Sequence, residues 1–569
     1  MPISNNSMEI IKSRYLMDTE TTWDELSVRV GQTIGKQEYG DVYSEIISNA
    51  KFIPAGRILR NAGRNRGSLF NCYCLPIGDS REEIGELFKN ALILWGEGGG
   101  VGINFSTLRP KGFPIKGVGG ESSGLVSFMR AVDGIAATVE SGGQRRAASL
   151  GLCEVWHSEI ENFIRAKQKD GDISYFNISV GINEDFIDAV RTDSEWQLHF
   201  NRKITQKISA KNLWSKIMDG MVRNGEPGLI NMSNLTQNNS YYFAPVRGTN
   251  PCGETCLEDY GVCNLGSIVL SKFVVNGRIK WKELEEVVRY AIRFLDSCID
   301  INSYSLTRIK QTAIRGRRIG LGVMGLADFL FQLHIRYGSR DAIDTIERVM
   351  KLIRNVSYEE SCKIGIEKGA FPAFESHLYC KSKFVRSLPP SLRQDIRRYG
   401  IRNVTSLAIA PTGTISLIPE TTSSIEPLMY KAYERRDRVS TRHYIHPMYR
   451  SILMEGAPDT EWFVDSTDIT PQEHIDTQIA VQKYVDGAVS KTINVPKTFK
   501  KEDLSDLLLE SIQDLKGVTV YRDGSRKGQV IRPIEKSKCL ALVKENDGRN
   551  LEDVSLETVQ CATGSCNLD

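Results

Sequence analysis

From residue 71 to about 528, short apolar runs alternate with longer amphipathic stretches, and this alternation narrows the fold more than any other feature of the chain. The runs at 101–105, 267–270, 406–410 and 517–521 are too short for helices and read as buried strands. The stretch 281–299 instead repeats its apolar residues at helical spacing. Buried strands alternating with helices imply an α/β architecture with parallel pairing, because a parallel neighbour is reached only through a crossover. With 569 residues the chain can bury a large core. Length alone suggests about three or four domains, although α/β barrels often exceed that rule as one unit. Residues 1–65 read as a short helical cap, 66–532 as the catalytic α/β domain, and 533–569 as a flexible tail with too little apolar content to fold by itself.

A net charge of +3 gives no reason to expect a nucleic-acid polymer or a membrane surface as partner. The N-terminus shows no basic segment leading into an apolar run, and no stretch of about 18 apolar residues occurs, so a cytoplasmic location is expected. Twelve cysteines without framework spacing fit a reducing compartment. Of these, Cys153, Cys256, Cys298, Cys362 and Cys380 read as ordinary core or near-surface thiols, and Cys74 stays open. Neither Cys539 with Cys561 and Cys566 nor the pair His443 and His446 offers a complete four-ligand set, so no metal site is expected.

The segment Asn250-Pro251-Cys252-Gly253-Glu254 carries the chemistry. In extended backbone its period-2 spacing aims an amide, a thiol and a carboxylate the same way. A carboxylate two residues off raises a thiol's pKa, which argues against an ionic nucleophile. A neutral thiol can instead give up a hydrogen atom and become a thiyl radical, with the carboxylate as general base and the amide orienting the substrate. The alternative is a buried cysteine in a Pro/Gly turn. Cys72, in Ser68-Leu69-Phe70-Asn71-Cys72, and Cys263, in Tyr260-Gly261-Val262-Cys263, add a buried thiol pair, and Cys561 and Cys566 near the end add a mobile one. A reduction that consumes two electrons per turnover and must be re-armed calls for two such pairs.

These motifs, in this order, make the sequence resemble the catalytic chain of a ribonucleotide reductase, closest to the adenosylcobalamin-dependent class, from about Arg14 to the last residue. The resemblance implies a ten-stranded α/β barrel of two five-stranded halves, with the Cys252 loop threading it as a finger. It makes Cys252 the thiyl radical that abstracts the substrate's 3'-hydrogen, Glu254 the acceptor of the 3'-hydroxyl proton and Asn250 a ribose ligand. Cys72 and Cys263 then act at the 2'-carbon and close to a disulfide, which Cys561 and Cys566 reduce in turn with a thioredoxin or glutaredoxin as partner. Substrate contacts are implied for Asn71, for Gly100 in the cluster Gly98-Gly99-Gly100-Val101-Gly102, and for the phosphate loop Pro411-Thr412-Gly413-Thr414-Ile415. The glycine cluster permits close backbone approach to a ligand or to the finger.

A deoxynucleoside triphosphate effector site is implied at Asp79, Ser80 and Arg109, with Arg145 and Arg146 on a first specificity loop and residues 167–179 containing a second. Asp79 also suits the role of cap for a helix starting at Arg81. A homodimer is expected, since such effector sites are built at subunit interfaces in similar chains. By the same resemblance, a further ATP-binding module before the cap, and the overall control it brings, is not expected. Reductases fed by a separate metal subunit resemble one another in two adjacent tyrosines on a late strand; here Val520 precedes Tyr521, which implies local radical generation by adenosylcobalamin, with Tyr521 in the cofactor floor. The alternative is the large catalytic subunit of a two-subunit reductase. The pair Tyr241-Tyr242 reads as structural.

Overall fold

The computed structural model describes residues 3–115, 119–141, 145–169, 171–436, 441–456, 460–525 and 531–545. Two sheets organise it. The larger contains β2 (Cys72–Leu75), β3 (Gly100–Asn104), β4 (Ala148–Glu154), β5 (Phe176–Ile182), β6 (Gly228–Asn231), β7 (Val262–Cys263), β10 (Thr492–Val495) and β11 (Gly517–Arg522). Its order is β7-β2-β3-β4-β5-β6-β11-β10. Strands β2 to β6 are mutually parallel, and the direction reverses at both flanks, where β7 meets β2 and β11 meets β6. Helices such as Arg81–Gly96 and Leu125–Ala136 make the crossovers between the parallel strands. Because these helices cover the sheet, β2, β3 and β6 are buried almost throughout, as a parallel sheet in an α/β protein requires.

The smaller sheet runs β1 (Phe52–Pro54), β8 (Leu265–Val269), β9 (Gly320–Met324). Single parallel bridges, Leu321 to Leu407 and Ile409 to Val489, continue it toward the segment that enters β10. The α/β class is therefore observed, in two sheets of eight and three strands joined by isolated bridges.

The N-terminal helices Asn5–Arg14 and Trp23–Ser48 carry side-chain caps from Ser4 and Thr22, the latter in a reciprocal capping box with Glu25. The second helix folds back at Lys36 (φ 50°), and three glycines let its halves touch: a Cβ on Gly35 would lie 2.5 Å from the Gly40 nitrogen. This cap also supplies β1, which pairs with β8 at Phe52 and Ile268, so it is stitched into the small sheet.

The polar segment after Arg532 departs from the expected tail. Ile531–Pro533 pairs with the strand Ala432–Arg436, and Lys536–Glu545 forms a helix against Pro447–Met454 with Cys539 fully buried. Apolar residues four apart, Cys539 and Val543, give that helix one buried side despite its charge. Cys561 and Cys566 lie outside the described residues. Among the described residues no helix is long and apolar enough to cross a membrane.

Candidate active site

A short antiparallel ladder, Gly248 with Leu257 and Thr249 with Cys256, carries the loop that holds Cys252. The loop is a turn and not the extended run expected from its spacing: the Gly253 amide donates to the Asn250 carbonyl (3.0 Å), and Gly253 takes φ +81°, where a Cβ is disfavoured. The Asn250 Oδ1 accepts from the Thr255 amide (3.0 Å) and closes the loop. On the far side the Ala488 amide donates to the Glu254 carbonyl (2.7 Å), fixing the finger to the chain that enters β10. Asn250 and Glu254 are almost fully buried, and the Asn250 Nδ2 has no acceptor among the described residues.

The glycine cluster on β3 makes room for this finger. A Cβ on Gly102 would sit 1.9 Å from the Thr249 carbonyl oxygen, and one on Gly100 2.8 Å from the Pro251 ring. Gly100 is thus pressed against the finger loop, one of the two uses its sequence allowed. On the neighbouring strand Cys72 is level with Gly100 and directly opposite Cys263. Directly opposed residues of an antiparallel pair hold their Cβ atoms about 4.5–5.5 Å apart, a small adjustment from the separation a disulfide needs. Both thiols are reduced and buried. Burial pushes the Cys263 thiol far above its ordinary range, with the Cys72 thiol and the Glu254 carboxylate adding to the shift. The pair, the carboxylate and the finger thus share one neighbourhood. Asn71, just before Cys72, has a buried Oδ1 without a donor among the described residues. Cys74 is two residues along the same strand face and level with Gly102; burial, with Asp259 and Glu258 nearby, raises its thiol as well.

Cys252 itself is half-buried and opens into a cavity walled by Asn177, Ser179, Glu226, Gly228, Lys491 and Thr519. Strand β11 lines it with Gly517, Val518 and Thr519; Tyr521 is not among the described lining residues, nor is any other tyrosine. Tyr521 instead sits beside Asn494 of β10 in the register. Tyr241 lies under the Arg318 guanidinium (4.3 Å), and the Tyr242 hydroxyl donates to the Ala373 carbonyl, so both are structural.

The loop Pro411–Ile415 follows directly from the Ile409 bridge to Val489, itself a wall of the Cys252 cavity. Thr412 adopts φ +56°, and its Oγ1 accepts from the Ser424 amide (2.7 Å), so its hydroxyl braces the loop. Pro411, Gly413 and Thr414 are partly exposed, and Ile415 is buried at the start of a 3-10 turn, Ile415–Leu417.

At the expected effector site, Arg109 holds Asp79 twice, through its amide to Oδ1 and its Nε to Oδ2, each 2.9 Å. The cap of helix Arg81–Gly96 is Ser80, whose Oγ accepts from the Glu83 amide, and not Asp79. The backbone of Arg145–Arg146 pairs with Glu140–Ser141; the side chains of Arg145 and Arg146 lie outside the described residues. His443 and His446 face different carboxylates, Glu434 and Asp328.

Sequence reasoning missed Glu226, Asn177, Lys491 and Thr519 on the cavity wall. The run Asn224-Gly225-Glu226-Pro227-Gly228 signals a turn, but nothing local says what the turn faces. Comparison with known proteins bears on the family. Residues 70–521 match the family model described as ribonucleotide reductase, barrel domain. A vitamin B12-dependent ribonucleoside-diphosphate reductase of Thermoplasma acidophilum is 36% identical over 93% of this chain and 72% of its own length. Another so named, of Mycobacterium tuberculosis, is 34% identical over 95% of this chain and 82% of its own. A ribonucleoside-diphosphate reductase subunit alpha of Chlamydia pneumoniae is 26% identical over 88% and 52%. A sequence that matches along most of its length, with the Cys252 loop seated on β3 beside the strand that carries an opposed thiol pair, places this chain in the ribonucleotide reductase family.

Proposed function

We propose that this chain reduces ribonucleoside diphosphates to 2'-deoxyribonucleotides through a thiyl radical on Cys252. The observation that carries the reading is the opposition of Cys72 and Cys263 at the level where Gly100 meets the finger. Cys252 takes the 3'-hydrogen atom while Glu254 accepts the 3'-hydroxyl proton, and the Asn250 Nδ2 donates to the ribose. The 2'-hydroxyl leaves as water with a proton from the thiol pair. The other hydrogen of the pair goes to C2', so Cys72 and Cys263 supply two electrons and close to a disulfide, Glu254 gives its proton back to the 3'-oxygen, and Cys252 returns the hydrogen atom to C3'. Burial that keeps Cys263 neutral suits a proton donor. The open Oδ1 of Asn71 and the exposed part of Pro411–Ile415 offer contacts to sugar and phosphate.

The cavity beside Cys252 fits an adenosyl group. At Gly253 a Cβ would meet nothing, which leaves that wall open to a flat ring, and Asn177, Ser179 and Thr519 offer polar atoms. Adenosylcobalamin, when bound, supplies the one-electron oxidant that removes the Cys252 hydrogen atom. Relatives named as vitamin B12-dependent, and a cavity without a tyrosine among its described lining residues, favour this source over a partner subunit's relay.

The reading extends to architecture and partners. The five mutually parallel strands β2 to β6 are taken as one half of a ten-stranded barrel, and β8, β9, the segment 407–409, β10 and β11, linked by the Leu321–Leu407 and Ile409–Val489 bridges, as the other. Cys561 and Cys566 pass electrons from a thioredoxin or glutaredoxin, a deoxynucleoside triphosphate binds at Asp79 and Arg109 on a homodimer, and the enzyme works in the cytoplasm. The test is deoxynucleotide production by the isolated chain with dithiothreitol, with and without adenosylcobalamin. Activity only with the cofactor is the expected result; a chain that stays inactive until a metal-containing subunit is added overturns the cofactor assignment.

A further inference from the structure

Residues 167–179 leave the helix Ile160–Ile164 and enter β5, and one acidic side chain outside the loop grips both of its stems. The Lys167 Nζ lies 2.6 Å from the Glu226 Oε2, and it also donates to the Phe176 carbonyl. The other oxygen of Glu226, Oε1, accepts from the Ile178 amide (3.1 Å). Two residues earlier, the Asn224 Nδ2 donates to the Lys167 carbonyl (3.0 Å) while its Oδ1 accepts from the Glu226 amide (3.2 Å). The Lys167 and Glu226 side chains are only 16% and 10% exposed, so their attraction is weakly screened. The opposite flank of the loop is tied to the helix Leu125–Ala136: Arg130 holds Asp172 (2.9 Å), and the Tyr175 amide donates to the Asp133 Oδ1 (2.7 Å).

The loop therefore hangs between two anchors. One is the helix that leads toward the first specificity loop. The other is Glu226, which also forms part of the wall of the cavity that contains Cys252.

We infer that Glu226 is a specificity-positioning residue, through which the place of loop 167–179 is imposed on the reaction cavity. A shift of either stem moves a group bonded to Glu226, and Glu226 moves the wall. An effector that draws the loop toward Leu125–Ala136 thus alters the cavity into which Cys252 opens without any contact to the substrate. The carboxylate meets no reacting atom, so its part is positional. The inference rests on the reading of 167–179 as an effector-responsive loop, and it adds the residue that carries the response.

The experiment uses the full chain with adenosylcobalamin and dithiothreitol, offered all four ribonucleoside diphosphates together, with and without each deoxynucleoside triphosphate. Product ratios are measured alongside effector affinity by equilibrium dialysis. In Glu226→Gln and Lys167→Met, affinity is expected to stay near that of the unaltered chain while the effector-driven change in product ratio falls about tenfold. The reversal Lys167→Glu/Glu226→Lys is expected to regain part of it. Lys167→Met changes no residue of the cavity lining and keeps the test informative if Glu226→Gln does not fold. An undiminished response in both single variants overturns the inference alone, as does a parallel loss of affinity and response, which marks a merely structural pair. An unaltered chain that binds no effector overturns the loop reading and the inference with it.

Discussion

The backbone oxygen of Thr249 occupies the space where a side chain on Gly102 would begin, 1.9 Å from an ideal Cβ. Because the obstacle is the carbonyl of a ladder residue, it cannot swing aside as a flexible side chain could. Gly102→Ala should lift the finger from β3 and destabilise the fold by about 1–3 kcal/mol, the usual scale of overpacking. Loss of activity together with a lower urea midpoint is expected. An alanine variant with full activity and an unchanged midpoint would show that the finger tolerates a displaced seat.

Cys252→Ser should abolish turnover while nucleotide binding survives, since a hydroxyl is too strong an O–H bond for the same hydrogen-atom transfer and nearly matches the thiol in shape. Deoxynucleotide formation above background by this variant, measured by chromatography, would remove the radical from Cys252.

Burial, Cys72 and Glu254 all favour the neutral form of the Cys263 thiol. In the folded chain this thiol therefore keeps its proton at a pH where an unfolded cysteine, near about 8.5, loses it. The sign follows: the group's contribution to stability is fully present below the unfolded value and falls away as pH rises toward the folded one. Alkylation of Cys263 by iodoacetamide, followed by mass spectrometry, should keep accelerating beyond pH 9 in the reduced protein. A plateau near pH 8.5 would indicate an ordinary thiol.

Arg109 and Asp79 are each about a quarter exposed, 25% and 27%, so a ligand can reach both. Replacing Arg109 with alanine removes a cation and loosens the carboxylate it orients. A charge-assisted hydrogen bond at such a place contributes about 1.5–3 kcal/mol, so effector affinity should weaken by roughly ten- to hundredfold. Equilibrium dialysis decides it; unchanged affinity would leave the pair as a clamp between its two loops.

The grouping of Asn250, Cys252 and Glu254 on one loop was legible in the sequence because it depends on residues a few positions apart. Their delivery was not, since Pro251 and Gly253 at φ +81° turn the chain where strand alternation was assumed. The cap of the helix at Arg81 was read as Asp79, and geometry gives that place to its neighbour Ser80. The glycines of β3 announced a close approach of a ligand or of the finger without choosing between them, because Thr249 and Pro251 lie far along the chain. Glu226 escaped for the same reason: its partners, Lys167 and Ile178, are brought to it only by the parallel pairing of β5 with β6. Composition misjudged residues 533–545, where a few apolar residues with helical spacing bury one side against a neighbouring helix.

Strand β1 has a role that its three residues conceal. It lies along β8 and hydrogen-bonds the border of the small sheet, which would otherwise present a row of unsatisfied amides and carbonyls. Bare borders recruit foreign strands, so the N-terminal helices, by carrying β1 into place, act as a guard against aggregation. A truncated form starting at residue 66 is then expected to precipitate or self-associate even where its catalytic residues are all retained.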